Sequence, residues 1–90
     1  MKYKILFEKN ADKQLKKIDM TQQRIIVSWI AKNLENATNP RIFGNPLKGN
    51  LREYWRYRVG DYRIIAEIND DEVRILIIEI GHRKNIYKKL

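Results

Sequence analysis

Ninety residues with a formal net charge of +8 and no cysteine make a short, strongly basic chain. That length is expected to form one domain, 1–90, around a single modest core, and the lack of cysteine excludes disulfides and thiolate metal sites, which fits a cytoplasmic setting. "MKYKILFEKN" holds too short an apolar run for a signal peptide, and no segment is long enough to span a membrane; the basic balance points to a polyanionic partner, nucleic acid or an acidic protein.

In chain order, residues 3–7 read as a short strand. From Asn10 the spacing of Ala11, Leu15 and Ile18 is helical, with Lys13, Lys16 and Lys17 turned outward. Asp19 followed by Gln22 resembles a capping box, and it opens a second helix through Ile26, Trp29, Ile30, Leu34 and Ala37. The two helices form a hairpin with a shared apolar face. The segment "TNPRIFGNPLKGN" holds both prolines and two of the four glycines, so it is the long connection.

Three strands follow, over residues 54–59, 62–69 and 72–80, with "GD" and "DD" as two-residue turns of an antiparallel meander. The polar tail "HRKNIYKKL" is long enough for one helical turn. The expected fold is α+β: an N-terminal strand, a helical hairpin, then the meander, with the helices on one sheet face. Pairing through two-residue turns puts Trp55, Tyr57, Val59, Tyr62, Ile64, Ala66, Ile68, Val73, Ile75 and Ile77 toward the helices. The other face receives Tyr54, Arg56, Arg58, Arg63, Ile65, Glu67, Arg74, Leu76 and Ile78, with Glu67 opposite Arg74 as an ion pair.

Within "YWRYRVGDYRII" this register sets Arg58 directly opposite Arg63, with Arg56 beside them. Like charges facing each other across two strands destabilise a sheet. Guanidinium groups bind phosphate bidentately and stay charged at any working pH, so such a cluster fits an anion site. The other chemistries are poorer fits. His82 alone cannot assemble a histidine metal site, "NDDE" lacks the ligand spacing of a calcium loop, the glycines form no phosphate-binding loop, and Ser28 lies mid-helix with no base nearby in sequence. No metal and no cofactor is therefore expected.

"LKGNLREYWRYRVGDYRIIAEI" followed by "IIEIGHRKNIY" resembles the RelE toxins of bacterial toxin–antitoxin pairs, within the RelE/ParE superfamily. The resemblance runs over essentially the whole chain, from the first strand through "PLKG" and the arginine-rich hairpin to the "GHR…Y" ending. It implies a metal-independent endoribonuclease, an mRNA interferase that inhibits translation by cutting mRNA on the ribosome. It also implies an acidic, RelB-like antitoxin held in a hetero-oligomer, with no membrane partner. Arg63 in "DYRII" matches the arginine that contacts the scissile phosphate, Arg83 matches the second catalytic arginine, and Tyr87 matches the C-terminal tyrosine. Arg56 stands where the best-studied members carry one of two catalytic lysines, and Tyr54 where they carry the other. Arg56, Arg63, Arg83 and Tyr87 are thus the expected catalytic set, with Tyr54, Arg58, Lys48 and His82 as RNA contacts. The alternative within the superfamily is a ParE-like inhibitor that binds DNA gyrase without nuclease chemistry.

Overall fold

The computed structural model describes residues 2–47 and 54–82. Its elements run β1 (Lys4–Phe7), α1 (Lys9–Lys16), α2 (Met20–Ile30), a π-helical turn (Ala31–Glu35), β2 (Gly44–Pro46), β3 (Tyr54–Val59), β4 (Tyr62–Asn69) and β5 (Arg74–His82). The five strands form one sheet in the order β1-β5-β4-β3-β2. Only the β1–β5 pair is parallel. The α+β architecture expected from the sequence is present, with one additional strand.

Each helix forms for a local reason. Ala11 and Leu15 are the buried stripe of α1, and Ile26 and Ile30 that of α2. Asp19 caps α2 by accepting from the Gln22 backbone N–H at 3.3 Å, satisfying one of the orphan donors of the first turn. The helix then widens into the π turn, where Asn33 donates to the Trp29 carbonyl and Asn36 to the Ala31 carbonyl. These side chains meet carbonyls that the changed winding leaves short of regular partners.

Alternation along β3, β4 and β5 sorts apolar side chains onto the helix side. Tyr57, Val59, Ile64, Ala66, Ile75, Ile77 and Ile80 join Ala11, Leu15, Ile26, Ile30 and Leu34 in one buried cluster, with Trp29, Trp55, Tyr62 and Ile68 packed against it. A second, smaller cluster of Leu47 and Ile65, flanked by Tyr54 and Ile78, lies apart from it.

Three features depart from the sequence expectation. First, β2 forms inside the Pro- and Gly-rich connection and pairs with β3. A Cβ at Gly44 would lie 2.5 Å from the Arg56 carbonyl oxygen and 2.7 Å from Tyr57 Cδ1, so glycine is what lets the strands approach. Second, the β4–β5 loop has four residues, not two. Val73 takes a left-handed φ of 51°, which a β-branched side chain rarely tolerates. Arg41 holds this loop by a two-point bond to Asp70 at 3.1 and 3.0 Å, and the Tyr3 hydroxyl donates to the same carboxylate at 3.0 Å. The longer loop shifts the register by two residues, so Glu67 faces Leu76 and Arg74 faces Asn69. The expected Glu67–Arg74 pair is absent; Arg74 instead bonds Glu72 at 3.0 Å. A shift of two preserves the faces, which is why the face assignment survives it. Third, a register irregularity between Ile65 and Ala66 pairs Ile65 with Glu79 and Ala66 with Ile77. The Ile80 N–H donates to Gln14 Oε1 of α1, while Gln14 and Asn10 donate to Glu79, which is only 5% exposed. The bulge thereby clamps α1 onto β5.

Candidate anion-binding face

The arginine hairpin is built by the turn at Gly60 and Asp61. Gly60 takes φ 61°, the left-handed value a tight hairpin demands. The two-residue turn fixes the ladder as Val59↔Tyr62, Arg58↔Arg63, Tyr57↔Ile64, Arg56↔Ile65, Trp55↔Ala66 and Tyr54↔Glu67. Arg58 and Arg63 therefore do face each other, as the hairpin reading expects. Tyr57 and Ile64 are fully buried toward the helices, so their sequence neighbours Arg56, Arg58 and Arg63 project from the opposite face.

That face has a distinct construction. Its floor is the Leu47–Ile65 cluster flanked by Tyr54 and Ile78. Arg56 and Arg63 are half-buried, Arg58 is exposed, and Tyr54 is half-buried at the far end of β3. On the β5 side Arg63 is paired with Gly81. On the β2 side Arg56 is paired with Asn45. The Arg63 guanidinium donates to the Tyr62 carbonyl at 3.3 Å, which draws it back along its own strand. Three guanidinium groups over a partly apolar floor form a surface that favours an oxyanion such as a phosphodiester, because the floor reduces competition from water.

The structure brings together Tyr54, Arg56, Arg58 and Arg63 from the expected site. His82 is elsewhere. It pairs with Tyr62 and packs edge-to-face against that ring, centroids 5.8 Å apart, on the side of the sheet that carries the helices. The β4–β5 irregularity causes this displacement, since an unshifted strand would carry position 82 onto the same face as 78. Lys48, Arg83 and Tyr87 lie outside the described residues. Among the described residues, no group of three His, Cys, Asp or Glu side chains is placed to hold a metal ion, and no helix is long and apolar enough to cross a membrane.

Asn45 was not singled out by sequence reasoning, because a residue between Gly44 and Pro46 looks like loop. The signal was the alternation of Phe43, Asn45 and Leu47 leading into a strand-rich segment. The loop before β2 is itself ordered by β3. The Tyr57 hydroxyl donates to the Pro40 carbonyl, the Trp55 indole N–H donates to the Arg41 carbonyl at 3.2 Å, and the Arg41 guanidinium sits 5.7 Å from the Trp55 ring centroid. Burial raises the Tyr57 phenol pKa well above its ordinary value. The hydrogen bond from Arg41, followed by that from Tyr3, lowers the Asp70 carboxyl.

The chain and its fold have known relatives. A sequence model of the family described as the ParE toxin of type II toxin–antitoxin system, parDE, matches residues 5–87. Toxin RelE3 of Methanocaldococcus jannaschii is 34% identical over 86 residues, 93% of this chain and 94% of that one. Toxin RelG of Mycobacterium tuberculosis is 27% identical over 89 residues, 99% of this chain and all of the relative. Among solved structures, the RelBE2 toxin–antitoxin complex of M. tuberculosis superposes with a TM-score of 0.84 at 25% identity, covering 92% of this chain and 93% of the matched one. The archaeal RelE–RelB complex from Pyrococcus horikoshii gives 0.71 at 26% identity, covering 92% and 97%. The chain is a toxin of a type II toxin–antitoxin system and belongs to the RelE/ParE family.

Proposed function

We propose that this toxin is a metal-independent endoribonuclease that cuts mRNA on the ribosome and so arrests translation. The observation that carries the reading is the Arg58–Arg63 pair with Arg56 beside it, on the sheet face away from the helices. In the proposed reaction the RNA 2′-oxygen attacks the adjacent phosphorus and the P–O5′ bond breaks. The products are a 2′,3′-cyclic phosphate and a 5′-hydroxyl; the proton leaves O2′ and one is delivered to O5′. Such a displacement needs in-line positioning and stabilisation of charge developing on the phosphorane oxygens. Arg56 and Arg63 supply the second directly. By the family resemblance, Arg83 would act on the leaving-group side and Tyr87 would orient the substrate, with Tyr54, Arg58 and Lys48 holding the RNA. Arg56 does not give up a proton at working pH, so it stabilises charge and does not act as the base. The ribosome would supply much of the positioning. An acidic antitoxin, RelB-like, would neutralise the toxin in a hetero-oligomer, as the +8 charge favours.

A second reading, gyrase inhibition without nuclease chemistry, is favoured by one observation: the matching family is described by its ParE members. Induction in bacteria separates the two. Cyclic-phosphate ends at translated codons, persisting in a chelator where ribosomes stay intact and absent with a 2′-deoxy substitution at the cut site, are expected. Relaxed or broken DNA with intact mRNA would replace the nuclease reading with the gyrase one.

A further inference from the structure

The two outer strands, β1 and β2, end the sheet differently. On β2 the Leu47 N–H bonds the Tyr54 carbonyl of β3, so alternation turns the backbone groups of Gly44 and Pro46 outward. That edge is closed: Pro46 has no N–H, and the Gly44 N–H already bonds the Arg41 carbonyl at 3.4 Å. On β1 the Lys4 and Glu8 N–H groups bond the Val73 and Ile77 carbonyls on the β5 side, so Ile5 and Phe7 direct theirs outward. The Glu35 carbonyl takes the Tyr3 N–H at 3.0 Å; past it, among the described residues, no hydrogen-bond partner meets the Ile5 or Phe7 N–H. An uncovered edge of this kind is a template for another strand.

We propose that this edge pairs with the same edge of a second copy, antiparallel and centred on Leu6, so that two five-stranded sheets join into one. Ile5 of each copy then exchanges both backbone hydrogen bonds with Phe7 of the other. A slip of two residues either way leaves one bonded pair and sets Leu6 against Lys4 or Glu8. In the centred register every side-chain pair is complementary. Toward the helices Ile5 faces Phe7, a β-branched–aromatic pair beside the core on which both already pack. On the opposite face Leu6 meets Leu6, and Lys4 stands across from Glu8 at both ends. Glu8 keeps extended backbone (φ −63°, ψ 153°), its side chain does not cap α1, and it and Lys4 are both exposed. Among the described residues neither has an ion-pair partner within its own chain. The contact is isologous and the β2 edge is closed, so assembly stops at two copies. The strip is short and each copy carries +8, so the dimer is weak and strengthens as salt screens the net repulsion. The inference does not depend on the ribonuclease reading.

Sedimentation of the full chain across concentration and salt, read beside amide hydrogen exchange and thermal melting, tests the pairing. Wild type is expected to form a concentration-dependent dimer in which the Ile5 and Phe7 amides gain protection. Lys4→Glu and Glu8→Lys each set like charges opposite one another at both ends of the strip, and each should weaken self-association at least about fivefold. Mixed in equal amounts, the two variants should dimerise with each other, because opposite charges then meet at every end. Net charge alone predicts otherwise, since Lys4→Glu lowers it and would self-associate best. Lys4→Glu keeps the test valid even if Glu8→Lys lowers stability at the N-terminus of α1. A wild type that stays monomeric into the millimolar range overturns the proposal, as does a dimer whose Ile5 and Phe7 amides gain no protection. Variants that self-associate like wild type, or that fail to pair when mixed, overturn it as well. Protection of those amides only by the acidic product of the neighbouring gene would assign the edge to that partner and overturn the second copy.

Discussion

The two faces of the central sheet are made by the same strands and obey opposite rules. Toward the helices, Tyr57, Ile64, Ala66, Ile75 and Ile77 are fully buried, and the polar groups that enter that side are matched: Glu79 by Asn10 and Gln14, the Tyr57 hydroxyl by Pro40. On the other face a small apolar floor lies beneath like charges that oppose each other across the ladder. The first arrangement lowers the free energy of the folded chain in isolation. The second sets like charges against one another, a cost that a bound anion would offset. That reversal of physical logic between adjacent residues is what singles out the arginine face as the candidate site.

Adjacent substitutions across that boundary break the comparison most sharply. Ile64→Ala should cost about 2–5 kcal/mol of stability, as expected for a truncated core isoleucine. In a chain this small that would lower the melting temperature by tens of degrees or prevent folding. Arg63→Ala, one residue away, should reduce cleavage about a hundredfold to a thousandfold, the usual loss when a donor to transition-state charge is removed. Its stability should shift by no more than about 1 kcal/mol, because relief of the Arg58 repulsion offsets the guanidinium's own lost contacts. Melts and end-mapped cleavage on the same two proteins decide the matter. An Arg63→Ala variant that melts early yet cuts normally would make that arginine scaffold.

Tyr57→Phe probes the helix side more gently. It leaves the Pro40 carbonyl without its donor and should cost about 1–3 kcal/mol. Because burial raises the Tyr57 pKa, its contribution is present below the ordinary phenol value and is lost as pH rises through the folded one. The variant should therefore resist alkaline unfolding relative to its own neutral-pH stability. A smaller effect is expected from Asp70→Asn. The native carboxyl is held low by Arg41 and Tyr3, so its contribution is present above the ordinary carboxylate range and is lost in acid. Since the pair is largely exposed, the change should stay under about 1 kcal/mol, visible as a shallower acid limb in a pH series of melts. Finally, association with an acidic partner or RNA through the arginine face should slow as salt rises, while neutral-pH melting stays nearly constant. Salt-independent association would indicate that the charged face is not the one engaged.

The faces of β3 and β4 were legible because alternation and a two-residue Gly-Asp turn determine them locally. So was the Asp19 cap, which needs only a short-range pattern. What escaped was set from far away. The four-residue loop after β4 depends on Arg41 and Tyr3 meeting Asp70 across 29 and 67 positions, and this holds Val73 where its own preference would not. β2 is three residues of Gly, Asn and Pro, poor strand formers that pair because β3 is already there. The β4–β5 irregularity, which removes His82 from the arginine face, is secured by Gln14 from the other end of the chain. The arginine cluster could thus be read from one hairpin, whereas the positions of His82 and Asn45 required the assembled sheet.

The parallel pairing of β1 with β5 has a temporal consequence. β1 and α1 find their sheet partners in the strand ending at His82: Lys4 to Phe7 align with Arg74 to Ile77, and Gln14 completes the Ile80 backbone. Until β5 joins the sheet, β4 lacks one of its two neighbours and the N-terminal third has no strand to pair with. Contacts of such high sequence separation form late, after loop closure has been overcome. The fold of this toxin therefore cannot close until residues 74–82 are in place, which gives a neighbouring partner an interval in which to meet the open chain.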